Sequence, residues 1–363
     1  MKRLYNKNMK VCLYQEGLES MKMITQSGIT SAFNHLKKAL NKANIEHTTN
    51  INDDFDILHI NFGIGPASLT FANYYRRKGK KVIIHAHTTA EDFANSFVMS
   101  NKIGPVLKGT LRMFYSQGDL VFCPSNYTKR ILLKYRLKPP IIPVSNGVET
   151  EKFIKNSVKG QLYKEEEGIE RELIFSVGQV FKRKGVFDFC NVAESMPHFD
   201  FRWFGRVYDQ FLVDNKEFRQ YLMNPPFNLR FSGFVPDIIA AYSAGDTFFF
   251  PSYEENQGIV ILEAASMGIP IVVRDIPVYS DWLFHEENCL KGKNNKEFIS
   301  LLNRVNEDKN LRKKIIDNGK VLAEKHDLSN IGKRLKKIYE CAYNNQMDEI
   351  LEDENFMSDS ALF

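Results

Sequence analysis

The 363-residue chain is predicted to be an α/β protein of two halves, each a parallel sheet with helical crossovers. Three observations carry this. The chain is longer than one average domain. Short apolar runs alternate with helix-length amphipathic stretches in both halves. A polar break at residues 149–171, with the aperiodic run Lys164-Glu165-Glu166-Glu167-Gly168, separates the halves and is expected to be the linker.

In the first half, Lys10–Tyr14, Asp56–Ile60, Lys81–His85 and Leu120–Pro124 have the length and apolar content of buried strands. A helix opens in Ser27-Gly28-Ile29-Thr30 and runs to about Asn44, and another follows a cap at Ser125. In the second half, Leu173–Gly178, Phe199–Phe204, Leu229–Ser232, Thr247–Pro251 and Pro270–Val273 are the expected strands. Charged helices from Lys296 to Met347 close the fold, and Asp348–Phe363 is expected to be a frayed acidic tail. The expected domains are residues 1–150 and 171–330, with a helix at 331–347 packing back on the first. Two such sheets place a ligand in a central cleft, at the carboxyl ends of their strands.

An apolar content of 43% supplies a core, and no 18-residue apolar run exists to span a bilayer. The start, Met1–Asn8, lacks the apolar stretch of a signal peptide. Five scattered cysteines without a CxxC pair indicate reduced, cytosolic thiols and no zinc site. Residues 1–150 carry 21 Lys+Arg against 10 Asp+Glu, and the remainder 28 against 34. A basic half suggests a partner with an anionic surface, a membrane or a nucleic acid. No recognition helix, zinc finger or RNA-binding signature supports the nucleic acid.

Two segments carry chemistry. Gly178-Gln179-Val180-Phe181-Lys182-Arg183-Lys184-Gly185 follows a strand and sets three adjacent cations between glycines, suited to a diphosphate or to a solvated turn. Pro251-Ser252-Tyr253-Glu254-Glu255-Asn256-Gln257-Gly258-Ile259-Val260-Ile261-Leu262-Glu263 runs from a strand into a helix. The free amides of Gln257, Gly258, Ile259 and Val260 suit phosphate, with Glu255 and Glu263 on either side to hold hydroxyls.

Together with Phe231–Pro236, Ala244–Thr247 and Met267–Val273, these segments resemble the donor half of the fourth family of retaining glycosyltransferases, over about residues 10–340. The resemblance implies the GT-B fold, two Rossmann-like domains facing a cleft. It implies that Glu263 holds the donor ribose and Glu255 contacts the donor sugar. Amides of Gly258–Val260 take the diphosphate, Lys184 is its cation, and the backbone near Phe234 and Val235 meets the base. The family's arginine after the first glycine is here Gln179, with Lys182 or Arg183 to supply the charge. Gln26-Ser27-Gly28-Ile29 matches the family's glycine turn, and Asn146-Gly147 its turn into the hinge. In His85-Ala86-His87-Thr88-Thr89-Ala90-Glu91-Asp92-Phe93, His87 best matches a histidine beside the donor sugar, with His85 the runner-up.

That stretch with Ala94-Asn95-Ser96-Phe97 and Ser100-Asn101 is similar to bacterial diglycosyl diacylglycerol synthases. The resemblance implies hexosyl transfer from UDP-glucose or UDP-galactose to a membrane glycolipid such as glucosyl diacylglycerol. It implies a cytoplasmic enzyme peripheral on the inner face of the cell membrane. His85, Arg76, Arg77, Lys108 and Arg112 are the candidate membrane or acceptor contacts. Leu107, Leu111, Phe114 and Tyr115 form an apolar stripe beside the last two, facing either core or membrane. The motifs call for no metal, and Mg2+ dependence stays open. The alternatives are a capsule, exopolysaccharide or lipopolysaccharide hexosyltransferase, or a nucleotide-sugar-binding protein without catalysis.

Overall fold

The computed structural model describes residues 9–16, 28–63, 65–93, 100–207 and 221–358. The described chain divides into two compact units. The first holds residues 1–90, 105–147 and 327–363, and the second residues 91–104 and 148–326.

The first unit contains β1 (Lys10–Gln15), β2 (Glu46–Thr48), β3 (Ile57–Phe62), β4 (Lys81–His85), β5 (Leu120–Cys123) and β6 (Ile141–Pro143). They form one all-parallel sheet in the order β2-β1-β3-β4-β5-β6. Its early helices are α1 (Gly28–Lys42), α2 (Pro66–Arg77), α3 (Ala90–Phe93), α4 (Ser100–Tyr115) and α5 (Asn126–Leu133), with α3 and α4 each crossing the unit boundary. Side-chain alternation along the strands splits the apolar residues between two layers. Val11, Leu13, Ile57 and Ile83 face one cluster, with Phe33, Leu36 and Leu40 of α1. Cys12, Leu58, Ile60, Val82 and Ile84 face the other, with Leu111, Phe114 and Tyr115 of α4. Both faces are therefore buried, which explains why these strands are continuous apolar runs. The Leu111, Phe114 and Tyr115 stripe is core, not membrane face. Ser125 caps α5 as expected, its hydroxyl accepting from the Thr128 amide at 3.1 Å.

The second unit contains β7 (Leu173–Val177), β8 (Asp200–Phe204), β9 (Leu229–Gly233), β10 (Thr247–Phe250), β11 (Ile271–Arg274) and β12 (Leu290–Gly292). Their order is β12-β11-β10-β7-β8-β9, again all parallel. The helices are α6 (Ser157–Glu166), α7 (Val186–Ser195), α8 (Ile238–Ala244), α9 (Ile259–Ser266), α10 (Asn295–Glu307) and α11 (Lys309–Lys325). One face packs Ile174, Phe201, Trp203, Phe249 and Val272 against Phe189, Phe298 and Leu302. On the other, Phe175 meets Tyr242 and Phe248 edge-on at 5.2 and 5.4 Å. The short strands β2, β6 and β12, of three residues each, carry too little pattern for a sequence reading.

Two expectations need correction. Residues 149–171 are not a bare linker, because α6 lies there, capped by Asn156 and packed on α8. A Cβ on Gly160 would lie 2.6 Å from the Ser243 carbonyl, so a missing side chain makes the contact. With Val158 and Leu162 exposed, this helix carries no apolar stripe to betray it. The tail is likewise ordered through Ser358. After α12 (Leu328–Asn344) come α13 (Asp348–Leu351) and α14 (Glu354–Ser358). Ile350 is fully buried, and Phe356 lies under the Arg334 guanidinium at 4.1 Å.

Helix α12 joins the first unit by packing on α1. A Cβ on Gly332 would stand 2.3 Å from the Ala39 carbonyl oxygen. Glycine to alanine in a helix interior ordinarily stabilises by about 1 kcal/mol. Gly332→Ala is expected to do the reverse and destabilise the first unit by about 1–3 kcal/mol, because the helices must separate. Thermal unfolding monitored by circular dichroism checks this, and a raised melting temperature would contradict the contact.

Candidate active site

The strand order of the second sheet reverses between β7 and β10, so the loops leaving those strands run side by side. Their closeness depends on absent side chains. Gly178 (φ 150°) accepts from the Trp203 indole at 2.8 Å, and Gly205 approaches so closely that a Cβ would lie 1.9 Å from the Gly178 oxygen. A 3₁₀ turn at Lys182–Lys184 ends on Gly185 in the left-handed region (φ 77°). A Cβ there would meet the Pro251 carbonyl oxygen at 2.2 Å. The Tyr253 amide then donates to the Arg183 carbonyl at 2.8 Å, and the Ser252 hydroxyl at 3.2 Å.

This docking brings Lys184 to Glu255. Their ammonium and carboxylate are hydrogen-bonded and almost wholly buried, and the same Glu255 oxygen accepts from the Ser252 hydroxyl at 2.7 Å. Burial alone would raise the Glu255 pKa, but Lys184, Arg183 and the Ser252 hydrogen bond outweigh it and hold the carboxylate below its ordinary range. Burial draws Lys184 down, partly offset by Glu255. Lys184 also sits over the Phe250 ring at 5.2 Å. Beside this pair, Arg183 meets Asp92 at 3.0 Å and donates to the Glu254 carbonyl at 3.1 Å. Lys182, by contrast, is exposed and makes no ion pair among the described residues. Of the two cations expected to compensate for Gln179, only Arg183 turns inward. Gln179 itself is half-buried in the turn after β7.

Gly258 caps the start of helix α9, and its φ of 94° places it in the left-handed region. Gln257 is buried and Ile259 and Val260 form the first turn. One turn further, the half-buried Glu263 accepts from the Tyr242 hydroxyl at 2.8 Å. Burial raises its pKa from 4.5 to about 7, with Tyr242 and Lys152 offsetting only some of the cost. The Tyr279 hydroxyl is buried near Gly258 and has no hydrogen-bond partner among the described residues. Phe234 and Val235 lie beyond β9, at the sheet edge, with Phe234 exposed.

In the first unit, His85 ends β4 and His87 follows it, both buried. Their rings stack at 3.8 Å, and His59 of β3 stacks on His85 at 5.6 Å. Burial pulls His87 and His59 down to about 3 and His85 well below its ordinary value, so all three are neutral at physiological pH. Gly28 is exposed at the start of α1, whereas Gln26 and Ser27 lie outside the described residues, as do residues 94–99. Arg76 and Arg77 are exposed at the end of α2, Arg76 lying 3.5 Å from Asp119. Arg112 is exposed, while Lys108 lies over the Tyr135 ring at 4.7 Å. His35 holds the Asn146-Gly147 turn through contacts of 3.3 and 3.1 Å to its carbonyls.

The structure thus gathers Lys184, Arg183, Glu255, Gly258 and Glu263 in one unit. It adds Ser252, Tyr242 and Tyr279, for which no sequence signal existed, since a lone hydroxyl residue has no diagnostic spacing.

The chain matches the family description "Glycosyl transferases group 1" over residues 161–322 and "Glycosyltransferase Family 4" over residues 27–152. It is 36% identical over 338 residues to the processive diacylglycerol alpha-glucosyltransferase of Acholeplasma laidlawii, covering 92% of this chain and 98% of that one. It is 28% identical to the alpha-galactosylglucosyldiacylglycerol synthase of Streptococcus pneumoniae, over 72% of each chain. Among solved structures, Anabaena HepE in complex with UDP-glucose matches with a TM-score of 0.71 at 15% identity, covering 92% of this chain and 99% of that one.

The raised Glu263 pKa has a stability consequence. The folded protein holds this proton more tightly than the unfolded chain does, so its contribution is full below pH 4.5 and is lost as pH rises through about 7. Glu263→Gln is expected to remove that loss, gaining on the wild type by roughly 3 kcal/mol at most between pH 4.5 and 8. Urea unfolding at pH 5 and pH 8 measures the difference. An unchanged gap between the two proteins would contradict the shift.

Proposed function

The chain belongs to the group 1 glycosyltransferases and is a GT-B hexosyltransferase using a nucleotide-sugar donor, and on that premise we propose that it moves glucose or galactose from the UDP-sugar to a membrane glycolipid such as glucosyl diacylglycerol. The observation that carries the donor half is the buried Lys184–Glu255 pair beside the Gly258 helix start. The lipid acceptor is supported by the diacylglycerol glucosyltransferase that shares 36% identity over nearly the whole chain.

In the proposed reaction the amides of Gly258, Ile259 and Val260 receive the diphosphate. Glu263 accepts from the ribose hydroxyls and Glu255 from a sugar hydroxyl. Lys184 and Arg183 offset the charge that develops as the bond from sugar C1 to the diphosphate oxygen breaks. The acceptor hydroxyl attacks C1 from the same face, forming the new C1–O bond, and its proton passes to the departing diphosphate. Configuration is retained without a covalent enzyme intermediate. A neutral His87 serves as a hydrogen-bonding group rather than as an acid or base. The backbone near Phe234 and Val235, beyond β9, meets the base. The steps route through no metal ion, and activity with and without a chelator tests Mg2+ dependence.

No helix among the described residues is long and apolar enough to cross a membrane. The proposed membrane contact is the outer side of α2, α4 and α5. Arg76, Arg77, Lys78 and Arg112 are exposed there, together with Tyr74, Val106, Met113 and Leu133. Each cation near an anionic leaflet contributes about 1 kcal/mol, weakened by salt. On this reading the enzyme sits at the inner face of the cell membrane, held by surface contact.

Incubation with labelled UDP-glucose or UDP-galactose and vesicles containing diacylglycerol or glucosyl diacylglycerol is expected to yield an organic-extractable labelled glycolipid. A product confined to water-soluble glycan would reject the lipid acceptor. Lys184→Ala is expected to lower kcat by about 10²–10³-fold, and a change in donor KM alone would argue against its role at the leaving group. Sedimentation with phosphatidylglycerol vesicles is expected to fall with added salt and with Arg76→Glu/Arg77→Glu/Arg112→Glu, and salt-independent binding would remove the electrostatic reading.

A further inference from the structure

The first sheet reverses its strand order between β1 and β3, and three polar side chains line up across that point. Gln15 ends β1, Asn61 is the penultimate residue of β3, and His87 follows β4. The Asn61 amide nitrogen donates to the Gln15 side-chain oxygen at 3.0 Å, and the Asn61 oxygen stands 3.0 Å from His87 Nε2. All three are more than nine-tenths buried, with Asn61 wholly so.

A hydrogen-bond chain of this kind has a direction. With its nitrogen committed to Gln15, Asn61 offers His87 only an oxygen, which accepts and cannot donate. In this arrangement Nε2 carries the proton, and the Nδ1 of a neutral ring is unprotonated. The ring is also held in place, stacked on His85 and with its backbone amide donating to the His85 carbonyl at 3.1 Å. Among the described residues, the titratable groups on this side are His85 and His59, with Tyr339 of α12 donating or accepting at His59 Nδ1, 2.6 Å away. None is a carboxylate that would favour imidazolium. An amide at position 61, not an acid, suits a histidine that must stay uncharged.

We infer that Asn61, braced by Gln15, is a positioning residue that holds His87 as one neutral tautomer with its proton on Nε2. The kinetic consequence rests on the reading that His87 meets the donor sugar. A fixed tautomer offers a sugar hydroxyl one defined hydrogen-bonding partner instead of two interconverting ones, which favours one orientation of the hexose.

Nitrogen NMR of histidine-labelled protein tests this, with the His87 signals identified by their loss in His87→Gln. The wild type is expected to show a single Nε2-protonated neutral ring from about pH 5.5 to 8.5. A tautomer mixture, the Nδ1-protonated form or a titrating ring overturns the inference with no variant needed. Asn61→Leu is expected to release the ring into both tautomers and to lower kcat/KM for the donor by roughly tenfold. Gln15→Leu should do the same more weakly. Asn61→Asp should add an ionisation to the pH–rate profile that the wild type lacks. If Asn61→Leu frees the tautomer without any kinetic cost, the positioning role falls, and the sugar-facing reading of His87 falls with it. If the wild-type ring was never locked, the inference fails while that reading stands.

Discussion

Gly185 has no side chain, and the carbonyl oxygen of Pro251 occupies the space where one would be. That contact fastens the loop after β7 to the loop after β10, and the site is a consequence of it. Lys184 and Glu255 are 71 residues apart in sequence and hydrogen-bonded in space. Gly205 against Gly178 performs the same service one strand away. Each glycine stands where a Cβ would push neighbouring backbones apart, and a shift of about an ångström would separate the cation from its carboxylate.

The electrostatics follow from that geometry. A buried ion pair contributes little to stability when its desolvation cost is counted. Its effect here is on charge state. Glu255 stays ionised in a place where burial alone would neutralise it, because Lys184, Arg183 and Ser252 surround it. Glu263, two turns of chain further on, has among the described residues only a tyrosine hydroxyl at hydrogen-bond distance and a lysine farther off, and its pKa rises to about 7. Two carboxylates eight residues apart are thus set to different protonation behaviour by their neighbours. In the proposed reaction one meets the sugar and the other the ribose. In the first unit, three imidazoles stack and burial keeps them uncharged.

Much of the fold was legible in the chain because both sheets are covered on both faces, so most of their strands appear as largely apolar runs. The strands that escaped notice have three residues each, too few for any periodicity. Helix α6 escaped because its contact is made by a glycine and its apolar residues are exposed. The tail beyond Asp348 escaped because its anchors, Ile350, Leu351, Phe356 and Met357, are few and scattered in an acidic background.

By itself the sequence determined the class of the fold, the family and the segment proposed to hold the donor, since Glu255, Gly258 and Glu263 lie within nine consecutive residues and their spacing survives in one dimension. Only the tertiary structure distinguishes Lys182, which is exposed, from its neighbour Arg183, which is drawn inward to Asp92. It alone brought in Ser252, Tyr242 and Tyr279, and it alone joined Gln15 and Asn61 to His87. The reason is physical: a strand order that doubles back places side by side the ends of segments far apart in the chain, and no local pattern records which ends those are.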